Sequence, residues 1–185
     1  MSRFDFVSTD LAGLTVVQRK ALEDQRGFLS RFYCAEEFSE TGMTKPIAQI
    51  NHTLTNRIGA VRGMHFQYPP HAETKLVSCL QGEIFDVAVD LRCDSPTFLQ
   101  WHGEVLSTEN RKSLLIPEGF AHGFLTLSKS ATVVYLTSTL YSAEHDAGIL
   151  WNSFSCEWGG IVNPILSERD SNFPTLSAFI NPQDI

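Results

Sequence analysis

Short apolar runs separated by turn residues recur from Leu14 to Tyr141, and their spacing reads as one strand after another. The clearest case is Leu76 to Leu91, where two apolar runs break at Gln81-Gly82, a hairpin signal. Within it, Ile84 to Val89 is rich in β-branched and aromatic residues, with Asp86 and Asp90 assigned to turn or edge positions. Ser113 to Pro117, Gly119 to Leu127 and Ala131 to Thr137 continue the rhythm, with turns at Glu118-Gly119 and Ser128-Lys129-Ser130. Ala35 to Thr41 reads as a short helix, and the Ser-, Asn- and Pro-richer stretch beyond Asn152 as loops and a last helix. No repeat, low-complexity stretch or linker interrupts the chain, so residues 1–185 are expected to form a single domain. Many short strands in one domain must cover their open edges. The expected fold class is therefore all-β, a jelly-roll sandwich or barrel with short peripheral helices and a ligand cavity between its sheets.

Composition narrows the function classes. A hydrophobic fraction of 43% and a charged fraction of 19% suit a soluble globular chain of 185 residues. The net charge of -7 argues against nucleic acid as a partner, since such proteins carry a basic face or stripe. It leaves room for a phosphorylated small molecule, which needs only a few local cations, and Arg57, Arg62 and Lys75 fall in one short stretch. No segment approaches the length of a membrane span, and residues 1–10 lack the basic-then-apolar pattern of a secretory leader. The four cysteines form no C-x-x-C pair and read as reduced thiols. A cytoplasmic location without membrane partners is the expectation.

Two stretches carry candidate chemistry. In Gly59 to Lys75, strand alternation puts His65 on the face of Gly63 and Gln67, opposite Met64 and Phe66. Such a histidine is either a hydrogen-bonded core residue or a group facing a space with little bulk beside it. In Leu114 to Phe124, Pro117-x-Gly119-x-x-His122 matches the second cupin motif, where the histidine is often a metal ligand. The first cupin motif supplies His-x-His and a Glu; here it reads His65-Phe66-Gln67. An amide is a poor ligand for zinc, iron or copper, so the cupin-like scaffold signal survives while no metal and no cofactor are expected.

With these stretches in view, the chain resembles the dTDP-4-dehydrorhamnose 3,5-epimerase family from about Arg26 to Leu176. The segments that carry the likeness are Arg26-Gly27-Phe28, Gln49-x-Asn51-His52, Arg62-Gly63-Met64-His65-Phe66-Gln67 and Lys75-Leu76-Val77. It continues through Gly82 to Arg92, Ser95-Pro96-Thr97-Phe98, Ile116 to Phe124, Ile149-Leu150-Trp151-Asn152 and Leu166-Ser167-Glu168-Arg169-Asp170. The resemblance implies an isomerase that removes a proton beside the C4 ketone of a nucleotide-activated 4-keto-6-deoxy sugar and returns one to the other face. C3, C5 or both are inverted, without a metal, on the way to cell-surface polysaccharide sugars. It implies His65 as base, Asp170 as its carboxylate partner, Lys75 beside the ketone oxygen and Tyr135 as the proton donor. Tyr141 is implied to stack on the nucleotide base, with Asp146 near the nucleotide. Arg26, Gln49, Asn51, Arg62 and His122 are implied to hold phosphate and sugar groups. A homodimer that shares strands between subunits follows from the same likeness. Taken without it, Lys75 reads as a strand-end cation, Tyr135 as a core aromatic and Asp170 as a helix cap.

The chain also departs from the family pattern. Arg-Gly-Phe-Phe-x-Glu becomes Arg26-Gly27-Phe28-Leu29-Ser30-Arg31, losing an aromatic and reversing a charge in the strand implied to reach the neighbouring subunit's nucleotide. Ile50 replaces an Asp, Ser153 another, and Asp146 stands for the usual Glu. These changes touch ligand preference more than chemistry, so the nucleotide and sugar need not be the standard pair. Two other classes compete: a metal-dependent cupin enzyme and a non-catalytic sugar-nucleotide-binding jelly roll.

Overall fold

A computed structural model describes residues 2–179; Met1 and residues 180–185, the ends of the expected domain, lie outside the described residues. Strands β1 (Phe4–Ser8), β2 (Thr15–Arg19), β5 (Gln49–Thr55), β7 (Lys75–Gln81), β10 (Lys112–Ile116) and β12 (Ala131–Thr137) form a six-stranded sheet in the order β1-β2-β10-β7-β12-β5. Strands β6 (Val61–Gln67), β8 (Glu83–Asp90), β9 (Trp101–Ser107), β11 (Phe120–Thr126) and β13 (Asp146–Gly148) form a five-stranded sheet in the order β13-β6-β11-β8-β9. All pairings within the two sheets are antiparallel. A separate hairpin, β3 (Ala21–Asp24) with β4 (Gly27–Ser30), pairs with neither sheet. Helices α1 (Ala35–Ser39), α2 (Glu168–Ser171) and α3 (Leu176–Phe179) are short. The jelly-roll expectation therefore holds, and no helix of the described residues is long and apolar enough to cross a membrane.

Period-two alternation divides the apolar residues into layers. Val77, Cys79, Ile84, Leu106, Phe120, Phe124 and Val133 pack between the sheets. The outer face of the larger sheet buries Val17, Leu76, Leu115 and Leu136 under α1, whose Phe38 meets Phe4 edge-on at 5.0 Å. The outer face of the smaller sheet buries Met64, Phe66, Val87 and Val89 under Trp151, Trp158 and Leu176 of the C-terminal segment. This last layer matters for function, because it holds α2 against the mouth of the sandwich.

Three expectations are adjusted. The Gln81-Gly82 break is the β7–β8 turn but not that of a hairpin, since β7 pairs with β10 and β12 in one sheet and β8 with β11 and β9 in the other; Gly82, with φ +76 and a Cβ position 2.1 Å from the Ser130 carbonyl oxygen, lets the chain cross between them. Asp86 and Asp90 are not at exposed turns or edges; both sit in β8 and are fully buried. Each is tolerated because it is paired, Asp86 with His122 and Asp90 with Arg92, Ser95 and Thr97, which together hold the Asp90 carboxyl down at about 2 against the opposing effect of burial. The helix read over Ala35 to Thr41 ends at Ser39. All four cysteines are free.

Candidate active site

Residues opposite one another in an antiparallel ladder project to the same face. Lys75 is paired with Thr137, Val77 with Tyr135, Tyr135 with Asn51 and Thr137 with Gln49. One inner face of the larger sheet thus carries Gln49, Asn51, Lys75, Tyr135 and Thr137. On the smaller sheet His65 is paired with His122, and Gln67 with Asp146. These two faces bound a cavity of about 720 Å³, within the size range of small-molecule sites.

His65 and Asp170 are 105 residues apart in sequence, yet His65 Nε2 lies 2.8 Å from Asp170 Oδ1. Asp170 reaches this place because α2 is capped by Ser167, whose Oγ accepts a hydrogen bond from the Asp170 N–H at 3.0 Å. The backbone N–H of Gly63 donates to Asp170 Oδ2 at 3.2 Å. Gly63 itself has φ +121 and no room for a side chain, since a Cβ would meet Gly123 Cα at 2.6 Å. Burial alone would raise the Asp170 carboxyl, but the His65 hydrogen bond and charge, with Gly63 and Ser167, hold it below the usual carboxylate range. Asp170 thus remains an anion facing the imidazole. With a proton held at Nε2 against this carboxylate, the ring's lone pair is on Nδ1. Phe173 packs edge-on against the His65 ring at 5.6 Å.

Lys75 is buried, and its Nζ is 2.9 Å from Glu73 Oε1. The Tyr135 phenol is pushed above its ordinary range, first by burial and then by the negative charge of Glu73, with Arg62 opposing. A phenol so placed keeps its proton and can donate it. His122 Nε2 is 2.7 Å from Asp86 Oδ1, so this histidine is turned to a buried carboxylate. Among the described residues, no group of three or more His, Cys, Asp or Glu side chains could hold a metal ion.

At the mouth, the Tyr141 hydroxyl donates to Asp146 Oδ2 at 2.9 Å, and Arg169 binds the same oxygen at 2.6 Å. Gln49 Nε2 donates to Asn51 Oδ1 at 2.8 Å, and Arg62 Nε to Thr55 Oγ1 at 2.9 Å. Gln67, the amide in place of a second motif histidine, acts as a clamp. Its Oε1 accepts from the Ser142 N–H at 2.6 Å, and its Nε2 donates to the His71 carbonyl at 3.0 Å. It thereby ties down the loop that carries Tyr141.

Ten of the eleven residues singled out in the sequence line this cavity: His65, Asp170, Lys75, Tyr135, Gln49, Asn51, Arg62, His122, Tyr141 and Asp146. Arg26 does not. It lies at the exposed turn of the β3–β4 hairpin, ion-paired with Asp24 at 2.6 Å, because that hairpin is not part of either sheet. Nearby, Leu29 is 70% exposed, and Arg31, at the position of the family's Glu, pairs with Glu37 at 2.9 Å. Sequence reasoning missed Glu73 and Arg169 as cavity residues. Each stands within two residues of an assigned one, at Lys75 and Asp170 respectively, and this adjacency was the available signal.

Comparison with known proteins converges on one group. The sequence profile of dTDP-4-dehydrorhamnose 3,5-epimerase matches residues 8–178. The Shigella flexneri dTDP-4-dehydrorhamnose 3,5-epimerase is 43% identical over 169 residues, covering 90% of this chain and 92% of that protein. The crystal structure of the Bacillus anthracis dTDP-4-dehydrorhamnose 3,5-epimerase, with TDP and PPi bound, superposes with a TM-score of 0.90 at 40% identity, covering 94% of this chain and 99% of that one. The Legionella pneumophila dTDP-6-deoxy-D-glucose-3,5-epimerase, solved with dTDP-4-keto-L-rhamnose, gives 0.89 at 36% identity, covering 94% and 93%. With two sheets enclosing one polar cavity and this likeness running over nearly the whole length, the chain belongs to the dTDP-4-dehydrorhamnose 3,5-epimerase family.

Proposed function

We propose that the chain inverts C3, C5 or both in a nucleotide-activated 4-keto-6-deoxy sugar of the dTDP-4-dehydro-6-deoxyglucose kind, as a step of deoxysugar biosynthesis. The observation that carries this reading is the facing arrangement in one cavity: the His65–Asp170 pair on one side, Lys75 and Tyr135 on the inner face of the opposite sheet. A carbon next to a ketone loses its proton when a base stands at the C–H and a cation or donor stands at the oxygen. His65 Nδ1 takes the proton, the C–H electron pair becomes the new C=C bond, and the C=O π pair moves onto the C4 oxygen, where the Lys75 ammonium meets the developing charge. Asp170 steadies the imidazolium that forms. The electron pair then returns to carbon, which takes the Tyr135 proton on the opposite face, and solvent resets both side chains. Arg62, His122, Gln49 and Asn51 supply donors for phosphate and sugar oxygens, and arginine's planar fork suits phosphate. Tyr141 and Asp146 serve the nucleotide base at the rim.

The test is deuterium uptake at C3 and C5 in D2O, read by mass spectrometry, with dTDP-, UDP-, GDP- and CDP-linked 4-keto-6-deoxy sugars. Uptake with at least one of them is expected. The altered Leu29 and Arg31 positions are the reason for including the other nucleotides; fastest turnover with the standard dTDP sugar would remove the reason for proposing a variant substrate. No uptake with any 4-keto sugar nucleotide would overturn the epimerase reading.

We further propose a homodimer. In its favour, β5 is an edge strand with Ile50 and Leu54 exposed, and the free-standing β3–β4 hairpin exposes Phe28 and Leu29 while carrying Arg26 away from its own cavity. Exposed apolar side chains on unpaired strand edges are costly in isolation and become favourable when a second copy covers them. Sedimentation equilibrium at micromolar concentration is expected to give twice the chain mass; a monomer throughout would exclude this assembly.

A further inference from the structure

The cavity holds one carboxylate that the mechanism above does not use. Glu73 lines the cavity, its side chain is only 12% exposed, and its Oε1 sits 2.9 Å from Lys75 Nζ. Its backbone is pinned on both sides. The Thr139 hydroxyl donates to the Ala72 carbonyl at 3.0 Å, the Thr74 N–H donates to Ser138 Oγ at 2.9 Å, and the Ser138 N–H donates to the Thr74 carbonyl at 3.1 Å. A largely shielded carboxylate on a fixed loop, aimed at a buried ammonium, is not a surface pair fluctuating in water. A long lysine side chain has four rotatable bonds, and an ammonium left to wander in the cavity would meet the ketone oxygen in few of its rotamers.

We propose that Glu73 is a positioning residue of the reaction, anchoring the Lys75 ammonium at the wall of the cavity beside Tyr135. This rests on the reading of Lys75 as the group that meets the enolate charge. A second consequence follows from the same placement. Glu73 places a negative charge near the phenol, which disfavours tyrosinate and so extends the pH range over which Tyr135 carries the proton it must donate. The other ionisable groups lining the cavity are Arg57, Arg62, His65, His122, Tyr141, Asp146, Arg169 and Asp170, besides Lys75 itself.

Two substitutions in the full chain separate charge from contact. Glu73→Ala removes both the acceptor and the charge; kcat for deuterium uptake is expected to fall about 10-fold with KM within about threefold, as for loss of a group that orients a catalytic side chain. Glu73→Gln keeps an oxygen that accepts from the ammonium, so it is expected to lose less of kcat. Both variants are expected to move the alkaline limb of kcat/KM to lower pH, because the phenol then ionises sooner. The double variant Glu73→Ala/Lys75→Ala is expected to be no slower than Lys75→Ala alone, since Glu73 acts through Lys75. Wild-type kcat in Glu73→Ala together with an unmoved alkaline limb in Glu73→Gln would overturn the role of Glu73 while leaving the epimerase reading intact. Additive losses in the double variant would overturn action through Lys75. Absence of uptake by the wild-type chain would instead sink the epimerase reading, and Glu73's role in the reaction with it.

Discussion

Replacing His65 by Asn is expected to slow deuterium uptake at the sugar carbons by about 10²–10⁴-fold, the contribution of a positioned general base. The protein should stay folded. The His65 side chain is about one-third exposed and makes no part of the apolar layers, while Asp170 keeps its bonds from the Gly63 N–H and its place after the Ser167 cap. Asn retains a polar side chain of smaller size with no titratable nitrogen. Circular dichroism and affinity for the free nucleoside diphosphate serve as controls, since Arg62 and His122, proposed above to hold phosphate, are untouched. Uptake within a few-fold of wild type would show that another group takes the proton, and the role of the His65–Asp170 pair would have to be abandoned.

Lys75→Ala is expected to slow the same step by roughly 10²–10³-fold, the cost of losing one preorganised donor at a developing oxyanion. A second effect separates this variant from the first. Glu73, with 12% of its side chain exposed, would lose the cation 2.9 Å away, and removing one partner of a fully buried ion pair costs about 3–5 kcal/mol, an upper bound for this partly solvated pair. Lys75→Ala should therefore lower the melting temperature as well as the rate, whereas His65→Asn should lower the rate with little change in melting. Adding Glu73→Gln to Lys75→Ala should recover much of the lost stability and none of the activity. Unchanged uptake in Lys75→Ala would mean that the ketone oxygen is stabilised elsewhere in the cavity.

Much of the architecture was readable from one strand at a time. The break at Gln81-Gly82, the run at Ala131 to Thr137 and the alternation that separates His65 from Met64 and Phe66 all reappear in space, because a period-two pattern at a water–core boundary permits only one facing. The same alternation fails for Arg62. It shares parity with Met64 and Phe66, yet it lines the cavity, because β6 carries an extra residue against β11: His65 is paired with His122 but Arg62 with Phe124. That bulge re-aims one side chain, and it forms where Gly63, with φ +121, lets the two backbones approach closely. Asp86 and Asp90 failed for a different reason. Their charges argue for solvent, and only their partners make burial tolerable: His122, 36 residues away, for Asp86, and the loop residues Arg92, Ser95 and Thr97 for Asp90. Gln67, where an amide stands in place of a motif histidine, gains a role that the sequence does not display, because the loop of Tyr141 that it fastens lies 75 residues away.

By itself the amino-acid order determined the strand class, the facing of His65 and, through long matching segments, the family and ten of the polar residues that line the cavity. Side-chain period and turn residues act over a few positions, so a linear reading captures them. Tertiary structure alone decided other placements: Asp86 against His122, Glu73 against Lys75, and Arg26 held away on its own hairpin. Charges and hydrogen bonds act through distances of a few ångströms, and those distances come into being only when the two sheets close and α2 docks across the mouth of the sandwich.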